Sequence, residues 1–377
     1  MEELVNLRFL SLYQAGYLNI LPKSLFLKFA LLQCFHLPFQ IKARVEEIVR
    51  LKHFEEFWGL MKSVSDVNKY IRYKQSHLTM FKIIVLGGFI HYNWLVSMYD
   101  DNRNEVILHQ CNLQNEEEED LSMLFFNQGT QILTLKECEG LSNSLLDDFP
   151  RSIKLSFLKV LKIDRCRGIE YFLTNKQFLI ANQEFESRFL SLWNLEEIKL
   201  IELPNFVGLI QNTGATVEPQ LPQVAVFSFL RSLSIWGCDK MRKLGLPLSE
   251  FQNLEDIKIV NCIEIEEIIE VREEQGQVVS LPKLKKLGLW NLPRLKSICN
   301  TAMSCGSIWC IQLAGCPKLK KLPRILTQLP IRLLKLLKKS GWMKNNGGSH
   351  WSGSIPLTVI YFNPCLNFIY RSWDKLF

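Results

Sequence analysis

The sequence predicts an α/β fold, a parallel sheet built from stacked repeats, and three observations carry that prediction. One apolar template, L-x-x-L-x-x-L-x-L-x-x followed by Asn, Cys or another closing residue, recurs along the chain. Its L-x-L centre has the period of two that sends both apolar side chains to one face of a strand. Cysteines stand at the same closing position in several copies: Cys111, Cys138, Cys166, Cys238, Cys262 and Cys316. At 377 residues the chain also exceeds what one compact core usually serves, so it is either multidomain or an elongated stack with a continuous core.

Taken in order, the copies begin with "LVNLRFLSLYQA" at 4–15. Degenerate ones follow at "LLQCFHLPFQ" (31–40), "LKHFEEFWGLM" (51–61) and "FKIIVLGG" (81–88). The pattern then sharpens through "NEVILHQC" (104–111), "QILTLKEC" (131–138), "FLKVLKIDRC" (157–166) and "LEEIKLIEL" (195–203). It closes with "FLRSLSIWGC" (229–238), "NLEDIKIVNC" (253–262), "LPKLKKLGLWNL" (281–292) and "IWCIQLAGC" (308–316). Most spacings lie in or near the ~20–29 residues of a leucine-rich repeat. The longer steps from 166 to 203 and from 203 to 238 imply insertions on the back of the stack.

The expected architecture is therefore a leucine-rich-repeat solenoid. It is a curved horseshoe with a parallel sheet on the concave face and a mostly irregular or short helical convex face. Residues 1–330 would hold about 10–12 irregular repeats, and residues 331–377 a C-terminal cap or poorly ordered tail, with Asn345 to Gly353 as a linker. Backs such as "MRKLGLPLSEFQNL" (241–254) and "PKLKKLPRILTQL" (317–329) are short and Pro-punctuated, which disfavours long helices. "ARVEEIVRLKHFEEF" (43–57) is the best helical stretch, with apolar residues at 45, 48, 49 and 51.

The physics of the ladder is simple. A lone strand cannot bury its L-x-L face, whereas stacked neighbours can, and each inward Leu or Ile contributes roughly 1.5–3 kcal/mol. The chain must then turn away sharply. A small inward side chain at that corner can satisfy backbone groups of the turn, Asn with its amide and Cys with its thiol. On this reading the corner cysteines are reduced, buried and architectural.

Composition and motifs exclude much else. The eleven cysteines contain no CxxC pair, and the group Cys299, Cys305, Cys310, Cys316 fits no common metal spacing. There is no phosphate loop, no G-x-S-x-G, no H-E-x-x-H and no kinase signature. Paired carboxylates such as Glu266-Glu267 lie in a charged run and read as solvated surface. No catalytic residue, cofactor site or metal site is expected. The net charge of +7 is divided between acidic runs ("EEEED", "EIEEIIEVREE") and basic ones ("KLKK", "RLLKLLKK"), without the aromatic interleaving of a nucleic-acid site. No apolar run is long enough for a membrane span, and neither a signal peptide nor an N-x-Ser/Thr sequon is visible. The expectation is a cytoplasmic protein that binds other proteins.

What remains is the outward face of the strands. Two positions before each corner stand Tyr13, His109, Lys136, Asp164, Ile201, Trp236, Val260, Trp290 and Ala314. At the middle outward position stand Ser11, Thr134, Lys162, Lys199, Ser234, Lys258, Gly288 and Gln312. The candidate protein-binding face comprises Tyr13, His109, Lys136, Lys162, Asp164, Lys199, Trp236, Lys258, Trp290 and Gln312. Trp236 and Trp290 occupy equivalent places two repeats apart. Either each packs over its neighbour as sheet surface, or the pair anchors a partner.

Four stretches carry a family resemblance: "VEEIVRLKHFEEFWG" (45–59), "NLEDIKIVNCIEIEEIIE" (253–270), "LPKLKKLGLWNLPRLKSIC" (281–299) and "CPKLKKLPR" (316–324). Over roughly residues 1–325 the sequence resembles the leucine-rich-repeat region of plant intracellular disease-resistance proteins of the coiled-coil, nucleotide-binding class. The resemblance implies a role in defence recognition. The repeats would restrain a nucleotide-binding switch domain and help sense a pathogen effector, directly or through a guarded host protein. That family's nucleotide chemistry lies in another domain, and "GLPL" at 245–248 has no companion motif here. The start inside a repeat at Leu4 is expected for a truncated product, a fragment, or a chain that docks its open end on a partner. The alternative reading is an adaptor, such as a ubiquitin-ligase substrate receptor, which would need an F-box-like helical segment that is not visible. An extracellular receptor ectodomain would need a signal peptide, sequons and paired flanking cysteines.

Overall fold

Apart from the first copy, whose Leu10 and Leu12 are half-buried, each apolar pair of the template forms the buried side of one short strand. The structure is a computed structural model that describes residues 5–12, 15, 17–18, 20–22, 25–38, 40–74, 80–88, 104–115, 129–141, 143–145, 158–174, 194–211, 227–244, 251–269, 278–319, 358–361 and 371–372. It divides into two units, Met1–Leu141 with Phe149–Cys166, and Ser142–Asp148 with Arg167–Phe377.

The first unit carries β1 (Phe9–Ser11), β2 (Cys34–His36), β3 (Glu56–Met61), β4 (Met80–Leu86), β5 (Glu105–His109), β6 (Ile132–Lys136) and β7 (Val160–Asp164). They pair in chain order and all in parallel. Registers align the inward side chains across strands, as in Phe35–Phe57–Phe81 and Val85–Leu108–Leu135–Ile163, all buried. The degenerate copies between 31 and 88 thus form strands like the others. Bulky aromatic residues take the leucine positions there, which blurs the sequence pattern while preserving its period.

The helical expectation for 43–57 is corrected. Only α1 (Val45–Ile48) forms there, and Glu56 and Phe57 already belong to β3. The alternating burial of Phe57 against its strand neighbours overrides local helix propensity. The longest described helix is α2 (Val64–Lys74), with Ser63 Oγ accepting the Asp66 backbone N–H at its start. Its Val67, Tyr70 and Ile71 are buried.

The second unit carries β8 (Tyr171–Thr174), β9 (Glu197–Ile201), β10 (Gly208–Gln211), β11 (Ser232–Trp236), β12 (Asp256–Val260), β13 (Glu267–Ile269), β14 (Val279–Ser280), β15 (Lys286–Trp290), β16 (Ser297–Cys299), β17 (Met303–Ser304), β18 (Cys310–Ala314), β19 (Thr358–Tyr361) and β20 (Arg371–Ser372). The main sheet runs β9-β11-β12-β15-β18 in parallel, then antiparallel through β19 and β20. Two inward rows, Ile198–Leu233–Ile257–Leu287–Ile311 and Leu200–Ile235–Ile259–Leu289–Leu313, are buried along their whole length. Where an irregular or short helical back is expected, the structure adds short parallel strands. β8 pairs with β10, β13 with β16, and β14 with β17. The long insertions after 166 and 203, and most of 331–377, lie outside the described residues.

The corners have a common geometry that differs in one respect from expectation. The residue before each closing position takes a left-handed conformation: Gln110, Glu137, Arg165, Glu202, Gly237, Asn261, Asn291 and Gly315, with φ between 49° and 63°. In six of them the N–H donates to the carbonyl of the last residue of the next strand, as from Glu202 to Trp236 O at 2.7 Å and from Asn261 to Trp290 O at 2.9 Å. The corner asparagines stand at this left-handed position, where Asn is better tolerated than most residues, and Asn291 Nδ2 donates to Asn261 Oδ1 at 3.0 Å. The cysteines play the inward role assigned to them. Cys111 Sγ donates to Val85 O at 3.6 Å, Cys138 to Leu108 O at 3.4 Å, and Cys316 to Leu289 O at 3.7 Å. Burial pushes the Cys262 and Cys316 thiols up to about 11, so they stay protonated and serve as donors.

Candidate protein-binding face

Period-two alternation places every described residue of the candidate set on the sheet face opposite the leucine rows. The two units present very different surfaces there. Tyr13 lies outside the described residues.

In the first unit the outward residues are largely satisfied within the chain. His36 stacks on Trp58 with ring centroids 4.1 Å apart, and the Lys82 ammonium lies 5.0 Å from the Trp58 ring centre. Lys162 pairs with Glu105 at 3.6 Å, and Lys136 with Asp164 at 3.4 Å. His109, expected to be exposed, is 3% exposed, and Lys82 and Glu105 are buried as well. Outward Leu60, Ile84 and Ile107 are also buried, so β4 and β5 are covered on both faces and His109 is no surface contact. Burial holds the His109 pKa below its ordinary 6.5, although Glu137 lies 3.7 Å away. Next to this row the left-handed corner residues form their own polar ladder. Gln110 Nε2 donates to Glu137 at 2.7 Å, and Arg165 reaches Glu137 at 3.0 Å and Asp164 at 3.0 Å.

In the second unit the register sets three outward rows side by side. The first is Glu197–Ser232–Asp256–Lys286–Cys310, the second Lys199–Ser234–Lys258–Gly288–Gln312, and the third Ile201–Trp236–Val260–Trp290–Ala314. Lys199 pairs back to Glu197 at 2.7 Å on its own strand. Trp236 is 37% exposed and Trp290 half-buried, with Val260 buried between them. Lys258 extends between the indoles. Its Nζ lies 4.4 Å from the Trp236 ring centre and 4.7 Å from that of Trp290. Both ring faces therefore meet a cation, the favourable side of the aromatic quadrupole. The tryptophans pack across this lysine.

Sequence reading also passed over the first outward row. Lys286 Nζ stands 5.3 Å from the Trp309 ring centre, and burial raises the Asp256 pKa despite Lys286 and Lys258 nearby. Extending the alternation one step toward the strand start would have found both Lys286 and Asp256. His36, Trp58 and Lys82 were missed because their repeats are degenerate. Among the described residues no group of His, Cys, Asp and Glu is placed to hold a metal ion, and no helix is long and apolar enough to cross a membrane.

Parts of this chain are similar to known proteins. Residues 209–338 match the family model described as plant disease resistance protein RPS2-like, leucine-rich repeats. A probable disease resistance protein of Arabidopsis thaliana is 27% identical over 199 residues, which is 51% of this chain and 20% of that protein. A second from the same plant is 28% identical over 204 residues, covering 52% and 26%. A disease resistance protein of that plant is 26% identical over 249 residues, covering 62% and 23%. The chain thus spans 20–26% of the length of these curated relatives. Among solved structures, the leucine-rich repeat domain of the type III effector XopL overlaps at 19% identity with a TM-score of 0.34, over 63% of this chain and 77% of that one. The segment matched by the family model overlaps the parallel ladder just described, and over it this chain is similar to the leucine-rich repeats of plant disease resistance proteins.

Proposed function

We propose that the chain is a non-catalytic, cytoplasmic recognition module of plant defence. Its open sheet face in the second unit grips a protein partner: a pathogen effector, a guarded host protein, or a nucleotide-binding switch domain in cis or in trans. The observation that carries this reading is the Trp236–Lys258–Trp290 group, two indoles and a fixed cation on an accessible sheet face. Partly exposed tryptophans of this kind are favoured interface anchors. The relatives' role in disease resistance supplies the biological context. In this reading residues 1–330 form the leucine-rich-repeat solenoid and 331–377 a C-terminal cap or poorly ordered tail.

The test is a pull-down from plant cells with the wild-type chain and with the Trp236→Ala/Trp290→Ala double variant, folding checked by circular dichroism. Recovery of an effector or a nucleotide-binding domain by the wild type, and its loss in the folded double variant, is the expected result. Recovery of ubiquitin-ligase core components would favour an adaptor instead, and undiminished capture by the double variant would remove this face from the reading.

A further inference from the structure

The open face of the second unit has one position without a side chain. Gly288 stands in the middle outward row, directly between Lys258 and Gln312. A Cβ placed on it would meet Gln312 Oε1 at 3.7 Å, Lys258 Cγ at 3.8 Å and the Trp290 ring at 3.8 Å. These are ordinary van der Waals distances and Gly288 itself is buried, so the three side chains rim a shallow dent closed over the backbone. One wall is an indole, one carries an ammonium and one ends in an amide.

The ammonium is poised in a particular way. The two indoles hold Lys258 Nζ between them, and among the described residues no carboxylate forms an ion pair with it. The other lysines of the face are differently placed, Lys199 on Glu197 and Lys286 over Trp309. Indole faces satisfy positive charge but accept no strong hydrogen bond, so the three N–H groups of Lys258 keep donor capacity. A lysine whose rotamers are already restrained gives up little further entropy when it binds. The Gln312 amide can offer an N–H from the opposite wall.

We propose that this dent is a binding pocket for a carboxylate side chain of a protein partner. An Asp or Glu in an otherwise apolar segment would set its carboxylate over Gly288, accept from Lys258 and Gln312, and lay its apolar flanks on Trp236 and Trp290. The proposal rests on the reading of this face as the recognition surface and adds the chemistry it selects. A cationic segment is disfavoured because Lys258 already fills the space between the indoles.

The experiment selects a random-peptide phage library on the immobilised wild-type chain and measures the enriched peptides against folded variants. Expected peptides carry an Asp or Glu among apolar residues. Changing that residue to its amide, or changing Lys258→Met in the chain, should weaken binding by about tenfold or more, while Lys258→Arg retains most of it. Gly288→Ala should weaken binding by filling the dent, and its Cβ would meet its neighbours only at ordinary van der Waals distances, so the variant folds. Peptides without an acid, peptides rich in Lys or Arg, an empty selection, or binding indifferent to Lys258→Met would each overturn the carboxylate pocket. Peptides that bind Trp236→Ala/Trp290→Ala unchanged would overturn the face itself. Loss in that double variant with retention in Lys258→Met would keep the face and remove the pocket.

Discussion

At the residue scale, the corners expose a cost that the repeats share unequally. Glycine fills the left-handed position at Gly237 and Gly315, whereas Glu202, Arg165, Glu137 and Gln110 hold the same conformation with a Cβ. A left-handed L-residue costs about 1–2 kcal/mol. Gly237→Ala should therefore destabilise the chain by about that amount, the more so because a Cβ there meets Glu202 Cγ at 3.1 Å. Glu202→Gly should stabilise by a smaller margin, since glycine also loosens the unfolded chain. Urea denaturation of both variants checks the pair, and a stability gain from Gly237→Ala would contradict the corner geometry. Tyr70 offers a second residue-level expectation. Its ring packs between Phe57 and Phe81, and its buried hydroxyl has no hydrogen-bond partner among the described residues. Tyr70→Phe should accordingly leave stability unchanged or raise it, because a desolvated hydroxyl is removed with little loss of packing. A marked fall in melting temperature would show that the hydroxyl is bonded.

At the element scale, the repeats of β12 and β15 fit each other by charge as well as by leucine. Acids on one stand opposite bases on the other, always thirty residues apart: Glu255 with Lys285 at 2.7 Å, Glu266 with Lys296 at 2.6 Å, and Glu264 with Arg294. Acids of the run at 264–274, with Glu255, thus meet bases of the next repeat and help align the two. Exposed pairs contribute little singly, and their value here lies in favouring one register over a slipped one. Glu255→Lys should lower the melting temperature, and adding Lys285→Glu should recover most of it. No recovery in the double variant would show that the pair does not couple. The Lys285 hydrogen bond holds the Glu255 carboxyl below its ordinary 4.5, and Lys296 does the same for Glu266. A depressed carboxyl stabilises the fold fully above its unfolded value, and that contribution disappears as pH falls through the folded value. The melting temperature of the wild type should therefore fall more steeply below pH 4.5 than that of a variant lacking these acids.

At the scale of the whole molecule, each repeat contacts only its neighbours, so continuity of the inward rows decides whether a unit holds together. Ile257 lies in the middle of its row and is 1% exposed. Ile257→Ala should cost about 2–5 kcal/mol, because the rigid strands on both sides limit collapse into the cavity. Cys238, Cys262 and Cys316 lie under the same sheet, all buried and with thiols raised by burial. They should react with iodoacetamide together, on the timescale of unfolding, and faster in Ile257→Ala. Rapid alkylation of any one in the folded wild type would contradict its place in the core.

The ladder is legible in the spacing of the residues. The period of two, the inward rows through Ile257 and Ile259, and the architectural cysteines all follow from local spacing, since a strand's side-chain alternation depends only on neighbouring residues. The sequence also named Trp236, Lys258, Trp290 and Gln312 as members of one face, because their positions relative to the corner are equal. Tertiary structure alone decided which named positions are accessible. His109 and Trp236 hold the same place in the template, yet one is buried and the other open, because exposure depends on what covers a strand and not on its own pattern. Only the stacked sheet could place Lys258 between two indoles from flanking strands, or turn a missing side chain at Gly288 into a dent. Contacts between residues a repeat apart exist only once the register is set, and that register is fixed by burying both leucine rows at once.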